Sequence, residues 1–390
     1  MVDARSDARA TRRLRIGMVG GGRDAFIGAV HRMAARLDDR TELVAGALSS
    51  DPERARLSAG DIGIAADRAY SNFAEMAERE SKRPDGIEAV IVVTPNHLHA
   101  PVAKAFLAAG IDVICDKPLS ATLAEAEELA ALAKASGLVF AVTFNNTGYA
   151  MVREARAMVA SGALGKLRVI RVEYIQDWLT KPIDADGQKQ AEWRTDPAKA
   201  GRSACLADIG VHAFNLAQFV TGMTPEAVAA DLTTFVPGRR LDDNAHVLMR
   251  YASGARGVLI ASQVSPGNGN RLALKLFGDK AGLEWLAHEP EVMRFTPFGE
   301  PTRILVRGGP GLGTASAEVS RMPSEHPEGY IEGFANLYRD AVDEILLRRD
   351  GKAGSMRTRL APNVEDGLLG MKFIEAAVDS SLAGSAWTNL

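Results

Sequence analysis

Cysteine is nearly absent: Cys115 and Cys205 are the only two in 390 residues, and they stand in unrelated contexts without metal-type spacing. That excludes a disulfide-stapled secreted fold, and reduced thiols in a cytoplasmic protein are the expectation. Long hydrophobic runs are missing too. No apolar stretch approaches the roughly 20 residues that cross a bilayer, so no membrane partner is expected. Neither sign of charge is in excess, with 46 basic against 49 acidic side chains and a net charge of -3. Such a balance gives no long-range field toward phosphate backbones, and nucleic acid is not an expected partner. The opening MVDARSDARATRRLR has arginines with no apolar segment behind them, unlike a secretory signal, and aspartates that a transit peptide lacks. We read residues 1–13 as a disordered tail. The glycine-rich GGPGLG near residue 310 lacks a following Gly-Lys-Ser/Thr and reads as a loop, not a phosphate cradle.

What is present is ample material for burial, 46% apolar residues with 24% charged ones, in a chain long enough for two domains. From Leu14 to about Thr143, short aliphatic runs (LRIGMVG, ELVAGAL, AVIVV, DVIC, LVFAVTF) alternate with stretches of helical period. That is the pattern of parallel strands joined by crossover helices. Thr122 and Glu125 have the spacing of a capping box, and Gly137 closes the helix they open. Beyond about residue 165 the texture changes to LRVIRVEYIQDW, HVLMRY, RGVLIASQV and RLALKLFG, separated by turn residues. These predict antiparallel strands, interrupted by a helix over DIGVHAFNLAQFV and followed by two C-terminal helices. The expectation is a doubly wound α/β domain over 14–145 and an α+β domain with a large open, mainly antiparallel sheet over 146–390, the C-terminal helices packing back on the first.

The first strand runs into Gly20, Gly21, Gly22, Arg23, Asp24 and Ala25, with Phe26 opening a helix. This G-x-G-x-x-A assigns Gly20 to a tight turn, Gly22 to close approach of a pyrophosphate and Ala25 to close packing of helix on strand. Exposed amides at the helix start would hold the phosphates. Three consecutive glycines can also be a flexible turn, but their place between strand and helix favours the dinucleotide. Ser49 and Ser50 stand where a ribose-binding acid is expected, with Arg54 close by. The missing acid removes the repulsion that would exclude a ribose phosphate, so NAD is the expected cofactor with NADP left open.

In an open parallel sheet, ligands bind beyond the carboxyl ends of the strands, where Lys117 falls, with Thr94, Pro95 and Asn96 at the same edge one strand earlier. Pro118 biases Lys117 toward an extended backbone. The plain alternative is a lysine that snorkels to solvent. Farther on, Asp208 and His212 lie one helical turn apart with Asn215 on the same face, which an N-cap aspartate beside a surface histidine would also explain. No third ligand suggests a metal, and none is expected.

The triple glycine, TPNHLH, DKP and DIGVH in this order resemble the glucose-fructose oxidoreductase, inositol dehydrogenase and rhizopine-catabolism (Gfo/Idh/MocA) family over nearly the whole chain. The resemblance implies a Rossmann domain, an open-sheet domain and a nicotinamide cofactor between them. It makes Lys117, Asp208 and His212 the catalytic set and lines the cofactor with Thr94, Pro95, Asn96 and Asp116, to which His99 and Asn145 are added. Two departures stand out: the serine in place of the ribose acid, and Asn145-Asn146-Thr147 where the family has Asn-Tyr-Arg. The stretches GRDAFIGAVHR and HPEGYIEGFANLY resemble a bacterial subgroup of the family.

The expected chemistry is hydride transfer from a secondary hydroxyl of a sugar, cyclitol or related polyol. His212, with an ordinary pKa near ~6.5, would serve as base and Asp208 would orient it or bind substrate. Lys117 would meet the hydroxyl. Gln176, Trp178, Trp193 and Arg194 are the further substrate candidates, as stacking surfaces and donors. Two other readings use the same residues: an NAD-dependent glycosidase that oxidises its ring transiently and returns the hydride, and a non-catalytic sensor. An open sheet leaves a face to cover, so a homo-oligomer, dimer or tetramer, is expected.

Overall fold

The computed structural model describes residues 12–23, 25–185, 188–351 and 360–390. Among them, the first sheet holds five parallel strands: β1 (Leu14–Gly20), β2 (Thr41–Ala47), β3 (Ala89–Val93), β4 (Asp112–Cys115) and β5 (Phe140–Val142), in the order β2-β1-β3-β4-β5. Every residue of β3 is buried, as a strand covered on both faces requires. The crossovers carry α1 (Phe26–Leu37), α2 (Pro52–Asp61), α3 (Phe73–Lys82), α4 (Asn96–Ala108) and α5 (Leu123–Ser136). Thr122 caps α5 as read, its hydroxyl accepting from the Glu125 amide at 3.3 Å, but the reciprocal half of the box differs, because the Glu125 carboxylate accepts from that hydroxyl at 3.0 Å and not from the Thr122 amide. Gly137 then ends the helix at φ 65°.

The second sheet has nine strands among the described residues: β6 (Leu167–Gln176), β7 (Ala227–Thr233), β8 (Asn244–Arg250), β9 (Arg256–Ser262), β10 (Asn270–Gly278), β11 (Ala281–Leu286), β12 (Val292–Pro297), β13 (Arg303–Val306) and β14 (Thr388–Asn389). Their order is β13-β12-β11-β10-β6-β9-β8-β7-β14, antiparallel except where β6 meets β9. Alternation along the strands divides its faces. Ile170, Val172, Val247, Leu259 and Leu274 point into the core. Val169, Leu248 and Phe277 are exposed on the other side, where they alternate with charged residues such as Arg171, Glu173 and Lys275.

Helices α6 (Ala150–Ala160), α7 (Lys189–Arg194), α8 (Pro197–Ala200), α9 (Val211–Thr221), α10 (Thr314–Ala317), α11 (Tyr330–Arg349) and α12 (Val364–Leu382) complete the fold. The long C-terminal pair ties the sheets together. Phe373 of α12 stacks on Phe214 of α9 with ring centroids 4.2 Å apart. From α11, Asp343 meets Arg40 at 2.7 Å, and Arg348 meets the buried Asp112 of β4 at 2.8 Å.

Two contrasting glycines test this packing. An added Cβ on Gly148 would lie 1.9 Å from the carbonyl oxygen of Gly333 in α11, whereas one on Gly60 in α2 meets nothing within 4 Å. Gly148→Ala should therefore cost about 1–3 kcal/mol as an overpacking change. Gly60→Ala should gain about 0.4–1 kcal/mol by restricting the unfolded chain. Urea unfolding of both variants checks the pair, and equal effects would contradict the close approach of α11.

Candidate active site

β1 ends at Gly20, whose φ of +81° suits glycine, and a Cβ there would come 2.6 Å from the Val93 carbonyl oxygen. A Cβ on Gly22 would come 2.5 Å from the carbonyl oxygen of Leu48. The turn is thus threaded between the ends of β2 and β3. The close-packing role expected of Ala25 belongs instead to Gly28, one turn into α1, where a Cβ would lie 2.4 Å from the Gly21 Cα. Ala25 is the N-cap of α1 and offers no side-chain hydrogen bond, and the first turn holds no acid. Those amides are left for an anion, and they open on a cavity of about 400 Å³ lined by Gly21, Gly22, Arg23, Ala25 and Phe26 among others. A dinucleotide pyrophosphate fits this set by both shape and charge.

Around the turn, the Arg23 guanidinium holds Asp61 of α2 at 2.5 and 2.7 Å, and Arg54 donates to the Arg23 carbonyl at 2.7 Å. Arg54 thus buttresses the glycine turn. Ser49 and Ser50 follow β2, and the Ser49 hydroxyl accepts from the Asp51 amide at 3.1 Å. Asp24 lies outside the described residues.

At the next edge, Pro95 precedes α4 as its N-cap, and the buried Thr94 hydroxyl has no partner among the described residues. Asn96 donates to the Ala200 carbonyl at 3.4 Å, reaching α8. His99 departs from expectation. Its ring nitrogens lie 2.8 Å from the Thr94 carbonyl and 2.7 Å from that of Pro118, so both face backbone oxygens and neither is turned to a cofactor, and the single N–H of a neutral ring donates to one of them. Asp116 follows β4 and accepts from the Thr143 hydroxyl at 2.7 Å. Burial pushes its carboxyl up, but His31, Lys117 and Thr143 together hold it below the ordinary value. The Lys117–Pro118 peptide bond is cis. Asn145 opens the buried turn after β5.

Lys117 crosses from the first sheet to the second half of the chain. Its ammonium donates to the Asp208 carbonyl at 2.7 Å and to Asp208 Oδ1 at 3.0 Å. Asp208 is not the helix cap. It sits inside a single wide turn, Leu206–Gly210, that leads into α9, with its amide donating to the Ala204 carbonyl at 2.8 Å. The capping is done from the β7–β8 connection: Asp242 accepts from the amides of Ala204 and Leu206 at 2.8 and 2.9 Å. The Asp208 carboxylate is thereby released to face Lys117, and Gln263 donates to its other oxygen at 2.8 Å. Arg194 Nε stands 3.3 Å from Oδ1. Burial would raise the Asp208 carboxyl, yet Lys117, Arg194 and Gln263 more than offset it, and the group is held well below the carboxylate range.

His212 lies one turn farther, buried between the edges of Phe144 and Tyr174, with centroids 5.9 and 6.1 Å away. Burial first, and the charge of Lys117 second, push its pKa down to about 3. The histidine expected to titrate near neutrality is therefore a neutral imidazole there. Asn146 reaches its Nδ1 at 3.4 Å.

Among the substrate candidates, Gln176 and Arg194 join the Asp208 cluster, and the two tryptophans stand behind them. Gln263 donates to Gln176 Oε1 at 3.3 Å, and Trp178 donates to the same oxygen at 2.9 Å. Trp193 carries the Arg194 guanidinium over its ring at 4.2 Å, so that face is not presented to a sugar. Gln263, Asn146 and Tyr174 were not among the residues expected in the site. Gln263 follows the alternating strand RGVLIAS, and a buried glutamine just past a core strand was the one available signal.

Three histidines, His31, His99 and His212, are wholly enclosed and held below their ordinary value, in each case first by burial. The folded chain then binds fewer protons than the unfolded one below about pH 6.5, so stability is full above that pH and falls as the solution is acidified. Each contributes up to about 1.4 kcal/mol per pH unit. Urea unfolding between pH 7 and pH 5 should show this decline before carboxylates begin to titrate, and a flat profile would contradict three buried neutral rings.

Comparison with known proteins agrees with the geometry. Residues 14–144 match the oxidoreductase family with an NAD-binding Rossmann fold, and residues 152–284 match the GFO/IDH/MocA C-terminal domain. An uncharacterized oxidoreductase of Bacillus subtilis (strain 168), YfiI, is 36% identical over 377 residues, 96% of each chain. The crystal structure of an oxidoreductase from Sinorhizobium meliloti is 50% identical and superposes with a TM-score of 0.88 over 97% of this chain and 100% of that one. An inositol dehydrogenase homolog from Azotobacter vinelandii, solved with NADH and myo-inositol, is 34% identical with a TM-score of 0.90 over 97% of this chain and 98% of that one. With its glycine turn, its lysine and its open sheet in the same chain, this protein belongs to the Gfo/Idh/MocA family and is an NAD-binding oxidoreductase.

Proposed function

We propose that this protein is a dehydrogenase removing hydride from a secondary hydroxyl of a monosaccharide, cyclitol or related polyol. The observation that carries the reading is the Lys117 ammonium. Two of its three hydrogens are directed onto Asp208, and the third is left for a substrate oxygen. The myo-inositol held by the Azotobacter vinelandii homolog supports a polyol at this place. When bound, an oxidised nicotinamide supplies the hydride acceptor. Lys117 donates to the substrate oxygen and stabilises negative charge as the O–H bond breaks. Asp208 fixes that ammonium, Gln263 spends its two N–H groups on Asp208 and Gln176, and Gln176 and Arg194 present donors to neighbouring hydroxyls.

His212 is the proton acceptor in this reading, and its neutral state is the useful one. To take a proton at Nε2 it must carry hydrogen on Nδ1, and the reading therefore needs the Asn146 amide flipped from the orientation in which its nitrogen stands 3.4 Å from Nδ1, so that its oxygen accepts there. Asn146 is thus the group that selects the tautomer, at a position where the chain departs from the family pattern.

Lys117→Ala should retain NAD binding and lose turnover by about 10²–10⁴-fold on a responsive polyol, read as reduced-cofactor absorbance. Unchanged turnover would remove Lys117 from the mechanism. Asn146→Asp should keep activity and shift its acid limb to higher pH, whereas Asn146→Leu should lower kcat across the profile. On glycosides, release of aglycone without net reduction of NAD would replace the dehydrogenase by the transient-oxidation glycosidase.

A second copy covers the open sheet face in the same reading, with Leu248 and Phe277 at the contact. Leu248→Glu combined with Phe277→Glu should shift the protein to a smaller species in sedimentation velocity. A wild-type monomer would overturn that assignment.

A further inference from the structure

The two stretches that set this chain apart, GRDAFIGAVHR and HPEGYIEGFANLY, meet behind Asp116. His31 of α1 is wholly buried. Its Nδ1 lies 2.6 Å from the hydroxyl of Tyr338 in α11, and its ring meets Phe334 edge-on with centroids 5.0 Å apart. Its Nε2 has no hydrogen-bond partner among the described residues and stands 3.8 Å from Asp116 Oδ1. A bare Nε2 would turn a lone pair toward a carboxylate. The attractive tautomer instead puts hydrogen on Nε2 and leaves Nδ1 to accept from the Tyr338 hydroxyl. Tyr338 is also wholly enclosed and keeps its proton, because burial pushes the phenol up. A one-way chain of dipoles therefore runs from Tyr338 through His31 to Asp116, where Thr143 adds a second donor.

We infer that His31 is a positioning residue: locked in one tautomer by Tyr338, it holds the Asp116 carboxylate ionised against the nicotinamide end of the cofactor and so favours the oxidised, positively charged form. The inference rests on reading the Asp116–Lys117 turn as cofactor-facing. A neutral imidazole suits this task because it steadies the carboxylate without cancelling its charge, as an arginine or lysine would.

The test is the ratio of NAD⁺ to NADH affinity, measured by calorimetric titration of the full-length protein with each nucleotide. His31→Leu should weaken NAD⁺ relative to NADH severalfold, because the Asp116 carboxylate loses the N–H dipole that stands 3.8 Å from it. Tyr338→Phe, which removes one oxygen and frees the tautomer, should move the ratio in the same direction by less. His31→Gln, which keeps a donor toward Asp116, should restore part of it. Loss of both nucleotides in equal proportion, or an unchanged ratio in Tyr338→Phe and His31→Leu, overturns the inference. Asp116→Asn separates the two levels: if it shifts the ratio while the His31 and Tyr338 variants do not, only the relay fails. If Asp116→Asn leaves the ratio unchanged, the cofactor-facing placement of the turn fails with it.

Discussion

The ion pair between Lys117 and Asp208 joins a strand end of one sheet to a helix start packed on the other, and the rest of the site is arranged around keeping it. Both side chains are largely withdrawn from solvent, at 12% and 17% exposure. Charges so placed lose several kcal/mol of hydration each unless the lone pairs and hydrogens left over are also satisfied. That requirement accounts for Gln263 on the second carboxylate oxygen and for Arg194 beside the first. It also accounts for Asp242: once a distant carboxylate caps the α9 entry, Asp208 need not turn inward to do so.

The same demand for satisfied buried polar groups runs through the first domain's edge. His99 stands between the Thr94 and Pro118 carbonyls, and with burial disfavouring the charged ring its one N–H donates to only one of them. Arg32 donates to the Gly21 carbonyl at 2.7 Å and fixes the glycine turn from inside α1. Among the described residues the Thr94 hydroxyl is left without a partner and the first turn of α1 without a side-chain cap, and both lie at the carboxyl edge of the sheet. In an open parallel sheet that is the edge on which a ligand binds.

Local chemistry made much of this legible in sequence. The strands LRIGMVG, AVIVV and DVIC occupy the residues read for them, because a buried parallel strand writes itself as an unbroken aliphatic run. LVFAVTF shrinks to Phe140–Val142, since the Val139 amide is taken by the Asp112 carboxylate at one end and Thr143 turns its hydroxyl to Asp116 at the other. What sequence did not show is what distant residues decide. Gly28 replaces Ala25 because the turn holds extra residues before α1 begins, and no spacing rule counts that insertion. Asp208 read equally well as a cap until Asp242, 34 positions away, took the task (242 − 208). The strand β14 is two residues long and exists only because β7 offers it an edge.

The charge arrangement explains why a histidine in this site is forced to stay neutral. Burial alone disfavours an imidazolium at position 212, and Lys117 adds a repulsion that Asp116 and Asp208 only partly cancel. A permanently charged ring there would stand beside an ammonium, with the positive nicotinamide still to be accommodated, and the three cations would oppose one another. In the proposed reading, a neutral ring leaves Lys117 as the one cation beside the substrate oxygen, with Asp208 as its counter-charge. A ring held this low is a weak proton acceptor at neutral pH, since a general base works best where its pKa matches the medium, so most of the charge stabilisation falls on the Lys117 ammonium.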